Sequence, residues 1–141
     1  MEVTFTGGSS HVLAREKDSD HKRVFSFGCN DFGQLGNKSE ISSHVPVEIT
    51  QNFPSDVIQL ASGGYHTLAM TENDELYGFG KLTKAQLASR WEKGQPKIAT
   101  KPVKVNLPAN LSLNKVYAGS LFTMLEVDDS EPTPAAAPAQ E

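Results

Sequence analysis

Between its punctuating glycines this chain alternates apolar and polar residues with a period of two rather than 3.6, the signature of strands. Val24, Ser26 and Gly28 fall on one side of such a run and Phe25 and Phe27 on the other; Leu76, Gly78 and Gly80 against Tyr77 and Phe79 repeat the arrangement. Thr67-Leu68-Ala69-Met70 leads through Thr71-Glu72-Asn73-Asp74 into Glu75-Leu76-Tyr77. The Asn-Asp pair suits a turn with positive φ, which predicts a hairpin. Val57-Ile58-Gln59-Leu60-Ala61-Ser62 forms a further strand that ends at Gly63-Gly64. Pro46 and Pro102 sit in related apolar stretches, 45–49 and 101–107. Proline gives a ladder no donor, so both stretches are expected at strand starts or sheet edges.

These elements occur twice. Gly8-Ser9-Ser10-His11-Val12-Leu13-Ala14 is followed by Gly63-Gly64-Tyr65-His66-Thr67-Leu68-Ala69 at an offset of 55, and Phe27 and Gln34 are followed by Phe79 and Gln86 at an offset of 52. Extra residues in the first copy's hairpin loop, within 16–22, account for the drift, and a third copy begins at Ala118-Gly119-Ser120-Leu121-Phe122. Repetition with a period above fifty residues points to stacked β-units. Each unit is expected to hold four short antiparallel strands.

The first copy continues as Phe27-Gly28-Cys29-Asn30-Asp31-Phe32-Gly33-Gln34-Leu35-Gly36. Together with the Gly-x-x-His-x-Leu-Ala run before it and Pro-Val after it, this stretch resembles the repeat of the regulator of chromosome condensation family, over about residues 3–127. The resemblance implies an all-β fold of antiparallel four-stranded blades in a partial β-propeller, two blades plus flanking strands. The positions that carry the repeat are Gly8, His11, Phe27, Gly28, Asn30, Gly33, Gln34, Gly36, Gly63, His66, Phe79 and Gly80. Residues 1–127 form the partial propeller on this basis, with repeats at about 8–62 and 63–118 and a third begun at 119.

The second copy departs from the motif: Leu82, Ala85 and Ala88 stand where the first has Asn30, Gly33 and Gly36. Loss of glycines at positions of positive φ sends this loop along another path. Leu82, Ala85, Ala88 and Trp91 recur at steps of three before Gly94 and Pro96, which predicts a short helix at 82–93. The surrounding segment, 81–104, carries seven cations against Glu92 alone; its local charge is +6 and the rest of the chain, net −4 overall, carries −10. Lys81, Lys84, Arg90, Trp91, Lys93 and Lys97 are the candidate partner-binding residues. The segment is a solvated surface, a docking face for an acidic protein, or a nucleic-acid contact. The last is the weakest, since Trp91 is its only stacking platform.

With 38% apolar and 21% charged residues the composition is that of a small globular domain. The chain has neither a basic, apolar secretory start nor a run near the roughly 20 apolar residues that cross a bilayer, so a cytoplasmic or nuclear setting without membrane contact is expected. The lone Cys29 agrees with a reducing compartment.

Candidate chemistry is sparse. His11 and His66 could serve as acid and base, but they recur with the architecture, and the third copy has Phe122 in their place, so bonding to backbone groups of a turn or strand is the expected role. Cys29, His44 and His66 lack a metal-ligand spacing. The glycine pairs at 7–8 and 63–64 lack the lysine and helix start of a phosphate cradle. Neighbouring acids Asp74-Glu75 and Asp128-Asp129 would point to opposite faces of a strand. No catalytic, cofactor or metal residue is therefore assigned. Residues 128–141, with proline, alanine and acids but no large apolar residue, are expected to be a disordered tail.

Two blades leave open sheet faces, so the chain is expected to be part of a longer propeller, to self-associate or pair with a partner, or to form a distorted two-blade sandwich. The resemblance implies a non-catalytic, regulatory protein-interaction scaffold. It also leaves two alternatives: guanine-nucleotide exchange on a small Ran-like GTPase, or a share in a larger propeller of cytoskeletal or tRNA-modification complexes. A chromatin or nucleic-acid adaptor is a weaker reading.

Overall fold

The structure is a computed structural model and describes residues 2–18, 22–82, 96–107, 111–120 and 122–128. Strands β1 (Val3–Gly7), β2 (His11–Glu16), β3 (Val24–Gly28) and β4 (Ser43–Glu48) form one four-stranded antiparallel sheet in chain order. Strands β5 (Val57–Ser62), β6 (His66–Thr71), β7 (Leu76–Lys81) and β8 (Ile98–Lys104) form a second of the same order, and β9 (Ser112–Ala118) pairs with β10 (Thr123–Asp128) in a hairpin. Each sheet takes in the strand before its glycine turn. The sheets therefore span 3–48 and 57–104, one strand out of phase with the sequence repeats at 8–62 and 63–118.

The two sheets share register. His11 lies opposite Gly28 and Leu13 opposite Ser26, as His66 lies opposite Gly80 and Leu68 opposite Gly78. Gly28 and Gly80 have φ of 112° and 102°, and there the next strand pairing slips, between Ser26 and Gly28 and between Gly78 and Gly80. A Cβ at either position would also meet backbone across the sheet, Ser10 O at 2.5 Å and Tyr65 O at 2.4 Å, so only glycine fits. Pro46 and Pro102 lie in β4 and β8, each the last strand of its sheet, where a missing N–H faces no further strand. In the turn between β6 and β7, Asp74 takes φ 59°. β8 begins earlier than the 101–107 stretch suggested by its proline.

Burial shows how the sheets stack. In β6 every residue is buried, which requires cover on both faces, whereas β1 and β4 are largely open. On one side of the second sheet Ala69, Tyr77, Phe79 and Val57 pack with Leu13, Val24 and Ile49 of the first; on the other Leu68, Met70 and Leu76 pack with Leu113 and Val116 of the hairpin. Full burial of each large aliphatic or aromatic side chain contributes about 1.5–3 kcal/mol. The layers meet along β1, β2, β5, β6 and β9, the first strands of each sheet. The space nearer β3 and β4 is filled by the 29–42 loop and by Phe53, whose ring lies 6.2 Å from that of Phe79. Sheets that are close along one edge and wedged apart along the other are the blades of a propeller.

The helix expected at 82–93 lies, apart from Leu82, outside the described residues, as does all of the tail at 128–141 except Asp128, which ends β10.

Candidate functional site

The 29–42 loop leaves its own sheet and lies on the next. Its shape is set by Asn30, a fully buried amide whose Nδ2 donates to Asn37 Oδ1 at 3.0 Å, Ser39 O at 2.6 Å and Ile41 O at 3.1 Å, while its Oδ1 accepts from Leu35 N–H at 3.0 Å. Gln34, also fully buried, accepts from Phe32 N–H through its side-chain oxygen. Gly36, at φ 65°, lets the loop touch the next sheet: a Cβ would sit 2.7 Å from the Phe79 ring. Gly33, at φ 78°, does the same against Ala99 O at 2.6 Å. Thus the motif glycines serve contacts between sheets as much as turns within one.

The repeated histidines act between sheets too. His11 Nε2 lies 2.9 Å from Thr67 Oγ1 in the second sheet, and His66 Nε2 lies 3.3 Å from Thr123 Oγ1 in the hairpin. Each glycine turn is closed by the histidine's backbone carbonyl: Gly8 N–H donates to His11 O and Gly63 N–H to His66 O. Both rings reach a side chain of the following sheet, and His66 also has the Phe122 backbone as a hydrogen-bond partner, the kind of group the sequence suggested. Burial first, and for His11 the neighbouring His66 second, pulls the pKa of His11 down to about 4; burial also lowers that of His66. Both rings are neutral at physiological pH. Their partners Thr67 and Thr123 went unnoticed in the sequence, although each directly follows the repeated position, as Val12 does in the first copy.

At the rim the loop presents Phe32 to Tyr65, ring centroids 5.0 Å apart. The Lys81 ammonium at the end of β7 lies over both, 4.8 Å from Phe32 and 5.7 Å from Tyr65. An ammonium over an aromatic face contributes about 0.5–1 kcal/mol at an exposed site and fixes where the charge stands. Lys97 is close by, because its carbonyl accepts from Leu82 N–H at 2.8 Å. Of the candidate partner-binding residues, the structure brings together Lys81 and Lys97; Lys84, Arg90, Trp91 and Lys93 lie outside the described residues. Strand β8 divides the rest of the basic segment. Lys104, at its far end, bonds Glu75 at 2.6 Å and, with Tyr77 OH, holds that carboxylate below its usual pKa. Phe32 and Tyr65 were not singled out from sequence, though aromatics inside glycine-rich loops are a usable signal of a rim surface.

The surface along the glycine turns has an open volume of about 240 Å³, and no three His, Cys, Asp or Glu residues gather as a metal set among the described residues. The geometry offers a binding rim held by two sheets.

A two-sheet stack with an inter-sheet loop of this kind defines a partial β-propeller. The profile of the regulator of chromosome condensation (RCC1) repeat matches residues 22–70. The ultraviolet-B receptor UVR8 of Arabidopsis thaliana is 34% identical over 84 residues, 58% of this chain and 18% of its own. The mitochondrial RCC1 domain-containing protein RUG3 of the same plant is 35% identical over 99 residues, 70% of this chain and 21% of its own. The structure superposes on that of Prp20p from Saccharomyces cerevisiae, a protein characterised for binding Gsp1p and histones, with a TM-score of 0.71 and 25% identity over 89% of this chain and 28% of Prp20p. The chain belongs to the RCC1 repeat family. It spans about a fifth of the length of these two plant relatives.

Proposed function

We propose that this chain is a non-catalytic, regulatory interaction scaffold of the cytosol or nucleus, and that the rim at Phe32, Tyr65 and Lys81 docks an acidic segment of a partner protein. The observation that carries this reading is Lys81 over the Phe32–Tyr65 pair, a cation positioned by the 29–42 loop and the turn between β5 and β6. Lys97, whose backbone pairs with Leu82 beside Lys81, adds attraction for a negative partner. The neutral, buried histidines serve the fold, and a preformed rim is what this arrangement provides. Protein binding by a relative, Prp20p with Gsp1p and histones, supports the same class of role.

Nucleotide exchange on a Ran-like GTPase, which the family resemblance implies, is the second reading. Exchange requires only preferential binding of the nucleotide-free GTPase, so it needs no catalytic constellation. The two separate in one set of measurements. Binding of a fluorescent polyglutamate peptide is expected to fall about tenfold or more in Lys81→Glu, with no faster release of labelled GDP from a loaded GTPase. Unchanged peptide binding in Lys81→Glu would refute the rim; accelerated GDP release would favour exchange.

A further inference from the structure

The two ends of the stack present different surfaces, and each has a counterpart inside the molecule. On the outer face of the first sheet, Phe5, Val12, Ala14, Phe25 and Phe27 occupy the positions that Leu60, Thr67, Ala69, Tyr77 and Phe79 occupy in the second. The second sheet turns those residues toward the first. At the other end, Phe122 and Met124 occupy the positions of His66 and Leu68, which face the hairpin. Phe5, Phe122 and Met124 are 68%, 54% and 57% exposed. One end therefore has the form of a receiving surface, and the other the form of the surface that is received.

The residues at the junction position narrow the occupant. Inside the molecule each junction pairs a histidine with a threonine, His11 with Thr67 and His66 with Thr123. At the open ends both members are apolar: Phe122 replaces the histidine and Val12 the threonine. An imidazole against Val12 would bury a ring nitrogen without a partner, and Phe122 against a threonine would do so to a hydroxyl. Phe122 against Val12 strands neither. Along the glycine turns a backbone ladder runs from Ser9 N–H to Gly64 O and from Gly64 N–H to Ser120 O, both 3.2 Å. Continued outward in the same sense, its next acceptor is the Ser9 carbonyl and its next donor the Ser120 amide.

We propose that a second copy of this chain docks head to tail, its β9–β10 hairpin lying on the outer face of the first sheet with Phe122 against Val12. Tyr117 and Met124 then meet the face that holds Phe5, Phe25 and Phe27, and the Ser120 N–H of one copy donates to the Ser9 carbonyl of the other. The contact is heterologous, since two different surfaces meet.

The test uses the mass of the chain in solution, by sedimentation across a concentration series, for wild type, Val12→Lys and Met124→Glu. Met124→Glu is chosen over a change at Phe122 because the Phe122 ring packs over Gly119, and thermal melts by circular dichroism verify that both variants fold. Wild type is expected to associate, and each variant alone to do so about a hundredfold more weakly, because a charge would be buried without a partner. Mixing the two variants is expected to yield a dimer and nothing larger, since each keeps the surface the other has lost. A wild type that stays monomeric at the highest concentration, variants that still associate, or a mixture that forms no dimer would overturn the proposal.

Discussion

Thr67 stands between two partners from the first repeat: its hydroxyl donates to the Gln34 carbonyl at 3.1 Å, which leaves an oxygen lone pair to accept from His11 Nε2–H at 2.9 Å. A hydroxyl has one proton, so this arrangement assigns the His11 proton to Nε2 and leaves Nδ1 bare. Thr67→Val keeps the shape but strands a buried N–H and a buried carbonyl, and is expected to cost about 2–3 kcal/mol in chemical denaturation. Thr67→Ser is expected to recover most of that loss. Equal stability of the valine and serine variants would show that the junction contributes packing alone.

The same histidine makes stability depend on pH. Its folded pKa of about 4 lies below the ordinary imidazole value of 6.5, so the unfolded chain binds more protons between those values and stability falls as pH drops through that window. His66 is shifted the same way. Melting temperature is expected to be flat from pH 8 to about 7 and to decline from about 6.5 to 5, with His11 alone costing about 2 kcal/mol by the lower limit. His11→Gln is expected to flatten part of the slope. An unaltered slope in that variant would place the pH dependence elsewhere.

Asn30 offers a sharper test of the loop, because one NH2 group serves three oxygens. Asn30→Asp preserves size and replaces those donors with a charge facing the same acceptors. A loss of about 3 kcal/mol or more is expected, measured by urea unfolding, together with earlier proteolysis within the loop. A near-neutral effect would mean that the glycines alone set the loop's course.

Gly36→Ala combines two penalties: a left-handed φ of 65° and a Cβ 2.7 Å from the Phe79 ring. The backbone component is about 1–2 kcal/mol, and displacement of a fully buried ring adds to it. The double variant Gly36→Ala/Phe79→Leu is expected to be less destabilised than the sum of the singles, which a double-mutant cycle reads directly.

What the sequence made legible was whatever recurs or obeys local sterics. Strand period, the edge placement of Pro46 and Pro102, and the positive φ of Gly33 and Gly36 all follow from chemistry within one repeat, whereas Gly28, read as a plain strand residue, takes its positive φ from the slip in pairing with the next strand. Contacts between repeats were not readable in the same way. Thr67 looked like an ordinary strand residue because its partner, His11, is 56 residues away, and nothing local distinguishes a hydroxyl that bridges sheets from one facing water. For the same reason the basic segment read as one surface, until β8 carried Lys104 to Glu75 and left Lys81 beside Phe32 and Tyr65. Linear charge counting has no access to the length of a strand.

The stacked glycine turns have a mechanical consequence. A methyl group on Gly8 would overlap the Gly63 carbonyl at 2.2 Å, and one on Gly63 the Gly119 carbonyl at 2.4 Å. Neighbouring layers are thus hinged on a line where no side chain fits, and the angle between them is governed by how much matter fills the opposite edge. Phe79, Phe53 and the Asn30 loop are that filling, so exchanging their bulk would alter the curvature of the whole array while leaving each sheet intact.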